Sequence, residues 1–197
     1  AISAGNINVG GRTLTLGEGT HLLSAEAVDA AGNISAQSEE LVVTVDHTAP
    51  AASVPALAPT SDTGTPGDNV TRLSQPAFVG TAEANARIRV YADGVLVGQG
   101  VVGSDESDGD PTNGLGVWEV TVEPLADGTY DIVTHVEDLA GNLAVSESEA
   151  LIVTVDTTPP QRPTLDLQNP DDTGSSDLDN VTIGDPTQGD GVLDFVV

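Results

Sequence analysis

The chain has 197 residues, with 31 Asp and Glu against 5 basic residues, all of them Arg, and a formal net charge of -26. Phosphate binding needs clustered cations, so this balance argues against a nucleic-acid partner, and no apolar run approaches the roughly 20 residues that cross a bilayer, so no membrane insertion is expected. Apolar residues make up 38% of the chain and aromatic ones only 3%, which points to thin cores of Val, Leu, Ile and Ala; charged residues at only 18%, with strand-length apolar runs throughout, indicate a folded chain.

In chain order, residues 12–16, 20–28 and 41–45 read as strands. Residues 51–57 form a proline-interrupted edge strand, and an acidic loop over 62–69 leads to a strand near 77–79. The alternating segment RIRVY over 87–91 meets a hairpin turn at Asp93-Gly94, which leads into a strand over 95–102. The loop SDESDGDPTNG over 104–114 reads as a solvated hairpin tip before a strand over 117–122. Residues 129–137 alternate again, with Tyr130, Ile132, Thr134 and Val136 on one face. A turn over 138–142 reverses the chain into a strand over 150–155. Beyond it, 164–167 and 180–182 offer the start of a further set, and no helix is expected.

Self-comparison organises these elements. Gly19-Thr20 recurs as Gly128-Thr129, Asp29-Ala30-Ala31-Gly32-Asn33 as Asp138-Leu139-Ala140-Gly141-Asn142, Asp46 as Asp156, and Asp62-Thr63-Gly64 as Asp172-Thr173-Gly174. The period, about 110 residues, is the size of one immunoglobulin-like β-sandwich. The phase gives an all-β chain of tandem sandwiches, one complete and two partial. Residues 1–46 are the second half of a repeat, 47–156 a complete repeat, and 157–197 the beginning of a third. The lack of Met, and an amino terminus with neither the basic nor the apolar region of a secretory leader, fit an internal piece of a longer chain. Partial sandwiches expose apolar faces and sheet edges, so head-to-tail self-association through the two half-domains is one expectation.

The segment GTYDIVTHVEDLAGN, followed by VTVDTTPP and an acidic DTG loop closing on DNVT, resembles the bacterial immunoglobulin-like repeats of giant secreted adhesins of the RTX and biofilm type. The resemblance covers the chain up to about Thr182. It implies a string of tandem domains exported to the bacterial cell surface, partnered by neighbouring repeats of the same chain and stiffened by calcium at the junctions.

The residues allow that chemistry. In such a sandwich the first and last strands reach the same end, which places Asp62, Asp68 and Asn69 beside Asp156, with Asp172 and Asp179 at the equivalent loop of the next copy. At the upstream junction the corresponding partners are Asp46 and the turn carrying Asp138 and Asn142. With no Cys there is no disulfide, and oxygen-seeking metal ions are one available substitute. Two like charges about 5 Å apart at an effective dielectric near 20 repel by roughly 3 kcal/mol, and a bound Ca2+ with its six to eight oxygen ligands reverses that sign. The same aspartates also suit plain turns, because Asp and Asn bond to their own backbone, and an acidic surface also serves solubility. Catalysis finds little support: His21, His47 and His135 have no nucleophile in a recognisable context, and Trp118 reads as core. Beside a non-catalytic extender, two further readings stand: a carbohydrate- or protein-binding module, and a spacer of a large secreted enzyme.

Overall fold

A computed structural model describes residues 6–9, 12–145, 147–163, 166–167 and 195–196. In chain order the strands are β1 (Asn6–Val9), β2 (Arg12–Thr15), β3 (Gly19–Leu23), β4 (Leu41–Val45), β5 (Ala56–Leu57), β6 (Val70–Thr71), β7 (Ala77–Glu83) and β8 (Arg87–Ala92). They continue with β9 (Val95–Val101), β10 (Leu115–Thr121), β11 (Gly128–Glu137), β12 (Leu151–Val155), β13 (Asp166–Leu167) and β14 (Phe195–Val196). No helix occurs among the described residues. Two units separate, Ala1–Thr157 and Thr158–Val197; in the second, β13 pairs antiparallel with β14.

The alternating sequences become two facing sheets. One runs β6-β12-β11-β8-β9, the other β10-β7-β5. Along β8, Ile88, Val90 and Ala92 turn inward while Arg87, Arg89 and Tyr91 turn outward; along β11, Ile132, Thr134 and Val136 are buried and His135 is not. Phe78, Trp118, Val120, Val153 and Val155 from both sheets close one core. Removing such apolar area from water is the dominant favourable contribution, and with so few aromatics the core stays thin. The Asp93-Gly94 turn has positive φ at both residues, 48° and 78°, the conformation that matches the twist of a two-residue hairpin.

Two expectations for the complete copy need correction, and one strand is added to it. The strand expected over 51–57 is a strand only at Ala56–Leu57, because Pro50 and Pro55 cannot donate to a ladder. Side-chain bonds replace the ladder: buried Ser53 donates from Oγ to the Thr81 carbonyl at 2.7 Å and accepts from Trp118 Nε1 at 2.8 Å, while its own carbonyl accepts from Thr134 Oγ1. The chain then turns back as β6, which pairs parallel with β12, a two-residue strand too short for any periodicity to reveal. Finally, residues 104–114 do not cap a hairpin, for they carry the chain from β9 in one sheet to β10 in the other.

The first described residues repeat the closing hairpin. β3 and β4 pair with Gly19 opposite Val45, as β11 and β12 pair with Gly128 opposite Val155, and the cross-strand hydroxyls of Thr20 and Thr44 (3.2 Å) match those of Thr129 and Thr154 (3.0 Å). The strand expected over 20–28 stops at Leu23, with a single further bridge between Val28 and Ile34. Leu23 and Val43 are half-buried where their counterparts Ile132 and Val153 are fully buried. β1, which no pattern had marked, pairs with β2.

Trp118 is 3% exposed, and a Cβ added at Gly80 would lie 2.7 Å from its ring. Gly80→Ala is therefore expected to cost about 1–3 kcal/mol through overpacking. Ser53→Ala, which strands the indole N–H and the Thr81 carbonyl, is expected to cost a similar amount, about 1–3 kcal/mol. Urea unfolding followed by the fluorescence of the single Trp checks both, and an unchanged midpoint for Ser53→Ala would show that the buried node adds nothing.

Candidate functional site

The turn over residues 138–142 is built to close on itself. Gly141 takes φ 93°, Asp138 Oδ1 accepts from the Asn142 backbone N–H at 2.8 Å, and Oδ2 accepts from Asn142 Nδ2 at 2.7 Å. The first copy repeats this staple: Asp29 accepts from the Asn33 N–H at 2.8 Å and from Asn33 Nδ2 at 2.7 Å. Those bonds, the Asn33 side chain foremost, hold the Asp29 carboxyl below its usual range. Turn chemistry alone thus accounts for the Asp and Asn of the motif.

The complete copy adds a second task. Asn142 Nδ2 also donates to the Asp46 carbonyl at 3.1 Å and to the Thr48 carbonyl at 3.4 Å, so the turn grips the linker that enters the domain. Asp138, only 6% exposed, thereby comes beside the Asp46 carboxylate. Glu83, the last residue of β7, completes the group: one carboxylate oxygen from each of Asp46, Glu83 and Asp138 lies within 4.8 Å of the others. Burial, then the charges of Asp138 and Asp46, push the Glu83 carboxyl above its usual range. Among the described residues no Arg or His ion pair reaches these three; the pairs formed are Arg87 and Arg89 with Glu137, His47 with Glu18, and His135 with Glu147.

At the downstream end the loop and the last strand meet along one sheet edge. The Thr154 N–H donates to the Asn69 carbonyl at 3.0 Å and the Asp156 N–H to the Thr71 carbonyl at 2.9 Å. Asp68 accepts from the Val70 N–H at 2.9 Å, and Asp62 accepts from the Gly67 N–H through one oxygen while the other is shielded from solvent without a hydrogen-bond partner. Asp62, Asp68 and Asp156 form no three-carboxylate group among the described residues. Asp172 and Asp179 lie outside the described residues.

The loop over 104–114 largely satisfies itself. Asp108 accepts from the Asp110 N–H at 2.9 Å and from Asn113 Nδ2 at 2.7 Å, and the Asn113 bond chiefly holds its carboxyl low. His135 packs on the Tyr91 ring with centroids 4.5 Å apart. Glu83 escaped the sequence reading because it sits in an ordinary strand end and has no counterpart among the repeated motifs. Its place at the pole of the 138–142 turn follows from a pairing distant in sequence, Arg87 opposite Glu137.

Both linkers are also held from the side they leave. Glu18 accepts from the His47 N–H at 3.1 Å, His47 Nδ1 at 3.2 Å and Thr48 Oγ1 at 3.0 Å, and Asp127 accepts from the Thr157 N–H at 3.0 Å and Thr157 Oγ1 at 2.7 Å.

Residues 48–157 match the family model described as "Bacterial Ig-like domain". Among solved structures, the chain is similar to the fibronectin(III)-like modules of Clostridium thermocellum CbhA, at 16% identity and a TM-score of 0.36 over 77% of this chain and 71% of that one. A comparison with curated proteins finds no match. The family model spans more than half of the sequence, and with the sandwich of β5 to β12 it carries the conclusion: the chain belongs to the bacterial Ig-like domain family.

Proposed function

We propose that this chain is a non-catalytic extender module of an adhesin secreted to the bacterial cell surface, in which Ca2+ at the junctions stiffens a string of repeats. The observation that carries the reading is the meeting of Asp46, Glu83 and Asp138 within 4.8 Å. One carboxylate comes from the linker, one from the end of β7 and one from the 138–142 turn of the domain that the linker enters. The donors are all oxygens, with the Asp46 and Thr48 carbonyls gathered nearby by Asn142. This is the donor set of a hard cation, not of zinc or copper.

The mechanism is mechanical. At these separations each pair of bare carboxylates repels by roughly 3 kcal/mol at an effective dielectric near 20, which favours swinging the linker away. A divalent ion converts that repulsion into a bond between linker and domain, and a chain of fixed linkers behaves as a rod. Asp62, Asp68, Asn69 and Asp156 are proposed for the downstream junction on their place along one sheet edge, not on a three-carboxylate group, with Asp172 and Asp179 following in the next repeat. Partners on this reading are neighbouring repeats of the same chain.

Calcium at about a hundredfold excess over Kd is expected to add about 2.7 kcal/mol, raising Tm by about 5–10 °C. Glu83→Gln separates the causes by sign: in chelator it raises Tm by removing one charge of three, and in Ca2+ it abolishes most of the gain. Differential scanning calorimetry in both buffers reads this, with isothermal titration on wild type and Asp46→Asn. If millimolar Ca2+ leaves Tm unchanged and releases no heat, the calcium reading fails.

A further inference from the structure

We infer that Glu18 and Asp127 are the junction-positioning residues of this repeat, each catching the first residues of the linker that leaves its own hairpin and setting the linker's direction without any metal. Both stand immediately before the Gly-Thr pair that opens the penultimate strand, β3 or β11. Both reach the residue immediately after the final aspartate, His47 after Asp46 and Thr157 after Asp156. One acid is Glu and the other Asp, and the recipients differ as well, yet each carboxylate accepts the backbone N–H of that residue and a hydroxyl of the linker. The same contact made by different residues in two copies marks the position as the working element.

The physical reason lies in where the ladder ends. Val45 opposite Gly19, and Val155 opposite Gly128, are the last paired residues of their hairpins. The Asp156 N–H still reaches the Thr71 carbonyl of β6, but the N–H groups of His47 and Thr157, one residue further on, lie past the end of their hairpin ladders, and a carboxylate placed there accepts through a charge-assisted bond and holds the chain for one or two residues more. At the upstream junction the hold is two-sided: Glu18 binds residues 47 and 48 from the hairpin, while Asn142 binds the carbonyls of residues 46 and 48 from the domain ahead. Pro50 is already buried in that domain. The hinge between the ladder and the next packed residue is therefore four residues long, and three of them are tied.

The inference refines the stiffening reading of the same junction but needs no calcium, and one experiment separates the two. The chain has no native Cys, so spin labels at Val42→Cys and Val101→Cys, both exposed strand positions, report the distance across the upstream linker by pulsed electron resonance on the full chain. In chelator the wild type is expected to give a narrow distribution. Glu18→Ala should widen it about twofold as the linker reverts to a short flexible hinge, and Glu18→Gln, which keeps an acceptor, should restore most of the sharpness. A Glu18→Ala distribution as narrow as wild type in chelator, or a wild type already as broad as Glu18→Ala, overturns the clamp. Calcium narrowing the Glu18→Ala distribution supports the metal reading independently, and its failure to do so counts against that reading while leaving the clamp standing.

Discussion

Like charges brought together by a fold have to be balanced, and the pole of the sandwich where residues 46, 83 and 138 meet gathers three of them. Their convergence is no accident of a flexible surface. Asp138 is locked by two bonds from Asn142, Glu83 is set by the end of β7, and Asp46 is tied to Thr48 through its own side chain at 2.9 Å. Neither Asp46 nor Asp138 can relax by rotating its carboxylate into water without giving up those bonds. The ways to relieve the crowding are to protonate, to part the linker from the domain, or to take up a cation; burial, and after it the charges of Asp138 and Asp46, push the Glu83 carboxyl above its usual range.

The same end of the domain shows how a repeated sequence can be reused. The Asp-Asn staple occurs in both copies with nearly identical bonds. Among the described residues it is the second copy that extends it, through the second hydrogen of Asn142, to the carbonyls of residues 46 and 48. A motif whose local job is to close a hairpin thus gains a contact with the preceding linker simply by standing at the pole where that linker arrives. Turn residue and candidate ligand are two uses of one geometry.

Much of the architecture was legible because it rests on local rules. Alternation over 87–91 and 129–137 marks β8 and β11, Asp93-Gly94 marks their hairpin neighbour, and the repeat of Asp29 to Asn33 places the second turn without any structure. What escaped depends on contacts distant in the chain. β6 exists because two residues lie beside β12, and the Ser53 segment is held by Trp118, Thr81 and Thr134 instead of by a ladder. At the candidate site, Asp46, Asp138 and Asn142 could be named from repetition. Glu83 and Glu18 could not, since a lone acid at a strand end or before a glycine looks like any solvated one.

The parallel pairing of β6 with β12 has a bearing on strength. Tension entering the complete domain near Pro50 meets the Ser53 anchor and β5 first; once these yield, it pulls β6 against β12, two neighbouring strands that run the same way, so the bonds from Thr154 to Asn69 and from Asp156 to Thr71 are strained side by side. Peeling would break them one at a time; sliding demands that they give way together. One of the two shortest strand pairings in the sandwich therefore lies where a load along the chain would be resisted.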